Sequence, residues 1–145
     1  WTSTRPDWVE RYAYEKGLLL WQWDTSQLDN NVSAHPGKGL ILPVDAHAKP
    51  EKWSDGSLLR NRMQAYDSPF GFYPTKGITL HNDGKAVKVK GNKGVSVFDD
   101  HKGTYWYKSN PTAGVQVEDT NTRIKILEQP RSGKTITLQV RPSTN

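Results

Sequence analysis

Cysteine is absent from the 145-residue chain, which excludes disulfides and thiolate metal sites and leaves the redox compartment unreadable. No window approaches the roughly 20 apolar residues that a membrane-spanning helix needs, so no membrane contact is expected. The opening WTSTRPDWVE lacks the charged-then-apolar pattern of an export signal, and if the protein is exported its signal lay upstream. Catalytic signatures are missing as well. None of His35, His47, His81 and His101 is followed by Glu, so there is no H-E-x-x-H zinc helix. There is no G-x-S-x-G elbow, and Ser132-Gly133-Lys134 lacks the leading glycine of a phosphate loop. Pairs such as Asp99 with Asp100, or Asp24 with Asp45, carry no glycosidase argument, because any β-rich chain with 15 acids offers them. Charge is not concentrated either. The net charge of +5 includes Lys85, Lys88, Lys90 and Lys93, which alternate with Val87 and Val89 as on a solvated strand face, and no nucleic-acid partner is expected.

Aromatic residues are what the chain does have. Hydrophobic residues make up only 34% of it, yet six Trp and six Tyr supply large apolar area in few positions, so aromatics are expected to build much of the core. In GLLLWQWD, residues 17–24, Leu19, Trp21 and Trp23 share one face and Leu18, Leu20 and Gln22 the other. Both faces are largely apolar, which predicts an interior strand with the two tryptophans in the core. GLILPVDAHA (39–48) is the next candidate, with Pro43 marking an edge or a bulge. ITLH, AVKVKG, VSVFDD, TYWY, GVQVED, RIKILEQ and TITLQVRP follow between residues 78 and 142 as short strands. The intervening turns are rich in Asn, Asp and Gly, and Asn82-Asp83-Gly84 is the best hairpin signal. The pattern predicts an all-β sandwich or barrel in a single domain spanning 1–145. Residues 1–16 would be an N-terminal arm, in which Asp7–Tyr14 is one helical turn or extended. Residues 49–76 would be an irregular Pro/Gly/Ser-rich connection, within which Leu58–Tyr66 is expected as a strand, with a helix as the alternative.

Two groups of residues invite a ligand. Asp24, Asp29, Asn30 and Asn31 crowd the loop after the long strand, and Asp45 lies within the next strand candidate, on the same face as His47. Calcium takes six to eight oxygens from such side chains, so a calcium site is one reading, with turn capping as the other. His35, Asp45 and His47, joined by Asp24 if the two strands pair, form a weak metal spacing for which structural hydrogen bonding is the expectation. Trp53, Tyr105, Trp106 and Tyr107 are the candidates for an exposed platform that stacks on sugars. A carbohydrate or cell-wall binding module is therefore the alternative function.

Read together, WVERYAYEKGLLLWQWDTSQLDNNVSAHPGKGLILPVDAHA, RNRMQAYDSPFG, GITLH, VSVFDD and YWY resemble the C-terminal, non-catalytic region of the immune inhibitor A family of secreted bacterial zinc metallopeptidases. The resemblance runs from Pro6 to Val140. In that family a catalytic domain carrying H-E-x-x-H is followed by jelly-roll-like and β-sandwich domains, and this sequence is similar to the last of these. What the resemblance implies is an antiparallel, jelly-roll-like β-sandwich in an extracellular setting, which begins inside the family's domain without its leading strand. It would stabilise or position the upstream catalytic domain of the same polypeptide and contact protein substrate. No turnover and no zinc are expected in this chain, and calcium would serve to stiffen loops.

Overall fold

A computed structural model describes residues 15–59, 65–82 and 85–143. Its regular elements are seven short strands: β1 (Leu20–Trp23), β2 (Ile41–Val44), β3 (Ile78–Asn82), β4 (Lys85–Val89), β5 (Val97–Asp99), β6 (Thr122–Glu128) and β7 (Thr137–Pro142). They form three small antiparallel sheets, ordered β1-β2, β3-β4 and β5-β6-β7. The chain is almost all β, as the period-two pattern predicts. Among the described residues, no helix is long and apolar enough to cross a membrane.

The main core lies between the β1-β2 ribbon and the three-stranded sheet. Val44 of β2, Phe98 of β5 and Ile126 of β6 meet there with Phe70 and Tyr105, and Leu20 and Ile124 pack around them. At its centre, Phe70 and Phe98 meet edge to face at 5.9 Å, while Phe98 and Tyr105 stack at 5.2 Å. The core is thus aromatic, as expected, but Phe and Tyr build it; none of the described tryptophans is among its buried members. A second cluster, Leu59 and Val89 with Trp53, Ile78 and Val87, packs beneath the β3-β4 hairpin.

Local chemistry explains several elements. The register from Ile78↔Val89 to Asn82↔Lys85 brackets the Asn-Asp-Gly turn, whose Asp83 and Gly84 lie outside the described residues. Pro43 has no ladder N–H, and β2 is accordingly an edge strand bonded to β1 alone. The β6-β7 pairing shifts register between Ile126 and Glu128, leaving Leu127 at a bulge. TYWY is not the strand its alternation predicts. Gly103–Tyr105 forms a 3-10 turn that drives Tyr105 into the core, where its Oη accepts the Asp99 N–H at 3.0 Å. GVQVED joins no ladder, although the Val115 N–H reaches the Tyr105 carbonyl at 2.9 Å. The expected strand over 58–66 falls largely outside the described residues, and its end, Ala65–Asp67, is a 3-10 turn. The Asp7–Tyr14 segment lies outside them entirely.

Candidate functional site

The β1-β2 register decides where the tryptophans go. Leu20 pairs with Val44 and Gln22 with Leu42, so these four share one face; Trp21 pairs with Pro43 and Trp23 with Ile41 on the other. Leu42 and Val44 are buried, whereas Trp21 is 50% exposed, Trp23 73% and Ile41 43%. The expectation that Trp21 and Trp23 are core anchors is therefore corrected. Gln22 supplies the physical reason. Its Nε2 donates to the Gln116 carbonyl at 3.3 Å and its Oε1 accepts the Glu118 N–H at 3.1 Å. The inward polar side chain is satisfied on arrival, so the Gln22 face can enter the core and the indoles turn outward.

The tryptophan edge borders a cleft of about 430 Å³ between β1 and the segment leading into β6. Val117, Ile124 and Phe98 line its apolar side, and Asp24, Glu118 and Thr120 its polar side. A large half-apolar groove with convergent oxygens is the kind of surface on which ligands and partners are held.

The five residues considered for calcium serve the loop in which they stand. Asp24 Oδ1 accepts the Ser26 N–H at 2.9 Å and the Ser26 hydroxyl at 2.6 Å. Hydrogen bonds from the Ser26 side chain, then its backbone, hold the Asp24 carboxyl below its ordinary range. Asp29 Oδ1 accepts the Asn31 N–H at 2.7 Å and faces His35 Nε2 at 2.8 Å. The Asn31 N–H, then His35, lower Asp29. His35 is raised by the Lys38 carbonyl on Nδ1 and by Asp29. Asn30 Oδ1 takes the Ile41 N–H at 2.8 Å and so starts β2, while Asn31 Oδ1 faces the Ala34 N–H at 3.4 Å. Buried Asp45 accepts the His47 N–H at 2.7 Å. The strands do pair, but that pairing separates Asp24 from Asp45. The Asp24 N–H bonds the Leu40 carbonyl at one end of the ribbon, whereas Asp45 follows Val44, opposite Leu20, at the other end. At roughly 3.3 Å per residue the two are about 16 Å apart. The five do not converge on one point.

The aromatic quartet is also dispersed. Tyr105 is 4% exposed and part of the core, so it presents no stacking face. Trp106 lies over Gly37, whose positive φ of 75° and lack of a side chain leave room for the indole, and its Nε1 donates to the Pro111 carbonyl at 3.0 Å. Trp53 packs on the second cluster, and Tyr107 lines a separate hollow with His47 and Glu51. Burial removes Tyr105 from any exposed coplanar pair drawn from these four, while Trp53, Trp106 and Tyr107 are half-buried.

One polar group went unrecognised in the sequence. Asp100, His101 and Asp119 each bring a metal-ligating atom to within 4.8 Å of the others, and among the described residues no other His, Asp and Glu side chains gather in this way. Only the β5-β6 pairing, with Asp99 opposite Arg123, brings these two chain segments together.

Residues 2–138 match the family model described as the VEG domain of immune inhibitor A-like metallopeptidases. Pre-pro-metalloprotease PrtV of Vibrio cholerae serotype O1 (strain M66-2) is 30% identical over 126 residues, covering 84% of this chain and 13% of that protein. Immune inhibitor A of Bacillus thuringiensis subsp. alesti is 30% identical over 132 residues, covering 80% of this chain and 18% of its own length. The chain thus spans under a fifth of the curated relatives it matches, and it belongs to the VEG-domain family of immune inhibitor A-like metallopeptidases.

Proposed function

We propose that the chain is a non-catalytic accessory region of a secreted zinc metallopeptidase, and that it packs against the rest of that polypeptide through its Trp21, Trp23 and Ile41 face. One observation carries the reading: two large indoles and an isoleucine stand side by side and exposed on a paired, well-formed ribbon. Contiguous exposed apolar surface of this kind marks an interaction site. The occupant is the adjoining polypeptide because the matched relatives are metalloproteases more than five times the length of the matched segment. Leu138 and Val140 of β7 are exposed on the same sheet face as Ile126 and Ile124, which adds a second apolar margin. Turnover is left to the remainder of the protein, since this chain carries no H-E-x-x-H segment.

Stability of the whole polypeptide tests this. The double substitution Trp21→Ala/Trp23→Ala is expected to lower the melting temperature of the full-length protein by several degrees. In the isolated chain it should change little. An unchanged full-length melting temperature would remove the docking role.

The cleft favours a second reading, carbohydrate or cell-wall binding, because flat indoles stand beside Asp24, Glu118 and Thr120. Titration with soluble cell-wall fragments separates the two. Saturable quenching of tryptophan emission that Trp23→Ala abolishes would favour the glycan, and no response favours docking.

A further inference from the structure

We propose that Asp100, His101 and Asp119 form a structural zinc site that ties the end of β5 to the turn entering β6. The three donors are one imidazole nitrogen and two carboxylate oxygens, mutually within 4.8 Å. His101 Nε2 and Asp119 Oδ1 are already 2.9 Å apart.

The surrounding backbone holds the group in place. Asp100 Oδ2 accepts the Thr120 N–H, the Thr120 hydroxyl and the Thr122 N–H, each at 2.8 Å. Burial pushes the Asp100 carboxyl up, but these hydrogen bonds, Thr120's hydroxyl first, outweigh it and keep the group below its ordinary range. Asp119 Oδ1 also accepts the Asn121 N–H at 3.1 Å, and Asn121 takes the left-handed φ of 58° that closes the turn. This is how a metal ligand is oriented by its neighbours, with Thr120 and Thr122 fixing one carboxylate and leaving its other oxygen over.

That remaining oxygen is the independent observation. Asp100 is only 6% exposed, and its Oδ1 is buried without any hydrogen-bond partner. A buried anionic oxygen left unmatched is costly, and a cation bound by Asp100 through Oδ1 would supply the missing partner. Beside the group lies a surface hollow lined by His101, Asp119, Asn121 and Ser143. It reaches the His101 and Asp119 donors and leaves room there for a water as fourth ligand, while Asp100 lines the tryptophan cleft instead.

Donor chemistry selects the ion. Calcium and magnesium take oxygen shells of six or more, whereas a mixed imidazole and carboxylate set with an open fourth position suits zinc. The edge of a tetrahedral zinc site is roughly 3.4 Å for bonds of about 2.0–2.1 Å, so binding would part the His101–Asp119 contact, now 2.9 Å, and even out donor spacings that reach up to 4.8 Å. The role is a cross-brace between two loops, in a chain whose sequence gives no reason to expect zinc.

The test uses the chain stripped of metal with a chelator. Zinc chloride at about a hundredfold above its Kd should raise the melting temperature by roughly 5 °C or more. Calcium at the same concentration should not. His101→Ala and Asp119→Asn, both at exposed positions, should each weaken zinc affinity at least about tenfold by calorimetry. Cobalt in place of zinc should give the intense visible absorption of a four-coordinate site, lost in both variants. Asp100 is left intact because it also holds the 120–122 turn. The proposal is overturned if zinc leaves the melting temperature unchanged, if calcium acts as well as zinc, or if zinc binding and the cobalt spectrum survive both substitutions.

Discussion

Two sets of aromatic side chains occupy opposite situations in this molecule. Phe70, Phe98 and Tyr105 touch one another in the interior, while Trp21 and Trp23 stand in solvent on the outer face of β1. The first set holds the two layers together. The second contributes little to the chain's own fold, and that is what makes it a surface for something else. Ring size does not sort them; what the neighbouring backbone needs does. Tyr105 goes in because its hydroxyl satisfies a buried N–H, and the tryptophans go out because Gln22 has partners inside.

The largest break in this comparison is Phe70→Ala. Phe70 is 1% exposed and contacts both other rings, so its loss should cost about 3–5 kcal/mol, read as a fall in the urea midpoint. A cost near that of an exposed residue would mean the interior set is not the keystone described.

Asp67 comes next, and its sign is opposite. Burial pushes this carboxyl up to about 6, above the unfolded value of about 3.9. Its contribution to stability is thus fully present below about pH 4 and is lost as pH rises through about 6. Asp67→Asn should stabilise the chain at pH 8 by on the order of 2–3 kcal/mol and change it little at pH 4. Equal effects at both pH values would contradict the burial argument.

Smaller again is Tyr105→Phe, which keeps the ring and strands the Asp99 N–H that now bonds its hydroxyl at 3.0 Å. About 1–2 kcal/mol should be lost. Trp21→Ala and Trp23→Ala are the smallest, each within about 1 kcal/mol of the parent in the isolated chain. If either matched Phe70→Ala, the distinction between the two aromatic sets would fail.

Much of this architecture is visible in the sequence, and the gaps have physical causes. The β3-β4 hairpin follows from Asn-Asp-Gly between alternating apolar residues, and Pro43 marks an edge because it has no donor to give. The orientation of β1 was not visible, since both of its faces are apolar and the deciding partners of Gln22 lie far along the chain at Gln116 and Glu118. TYWY alternates like a strand, but the backbone turns at Gly103 and sends Tyr105 inward. For the sites, Asp24 and Asp45 are expected to meet if the two strands pair, and the antiparallel register of the ribbon puts them at opposite ends. His101 and Asp119 looked unrelated until β5 and β6 paired.

The most direct test of the docking face is hydroxyl-radical footprinting of Trp21 and Trp23, read by mass spectrometry in the isolated chain and in the full-length polypeptide. Both indoles should react readily in the isolated chain and be protected severalfold in the full-length protein, with Trp23 changing most. Equal labelling in the two contexts would contradict the account.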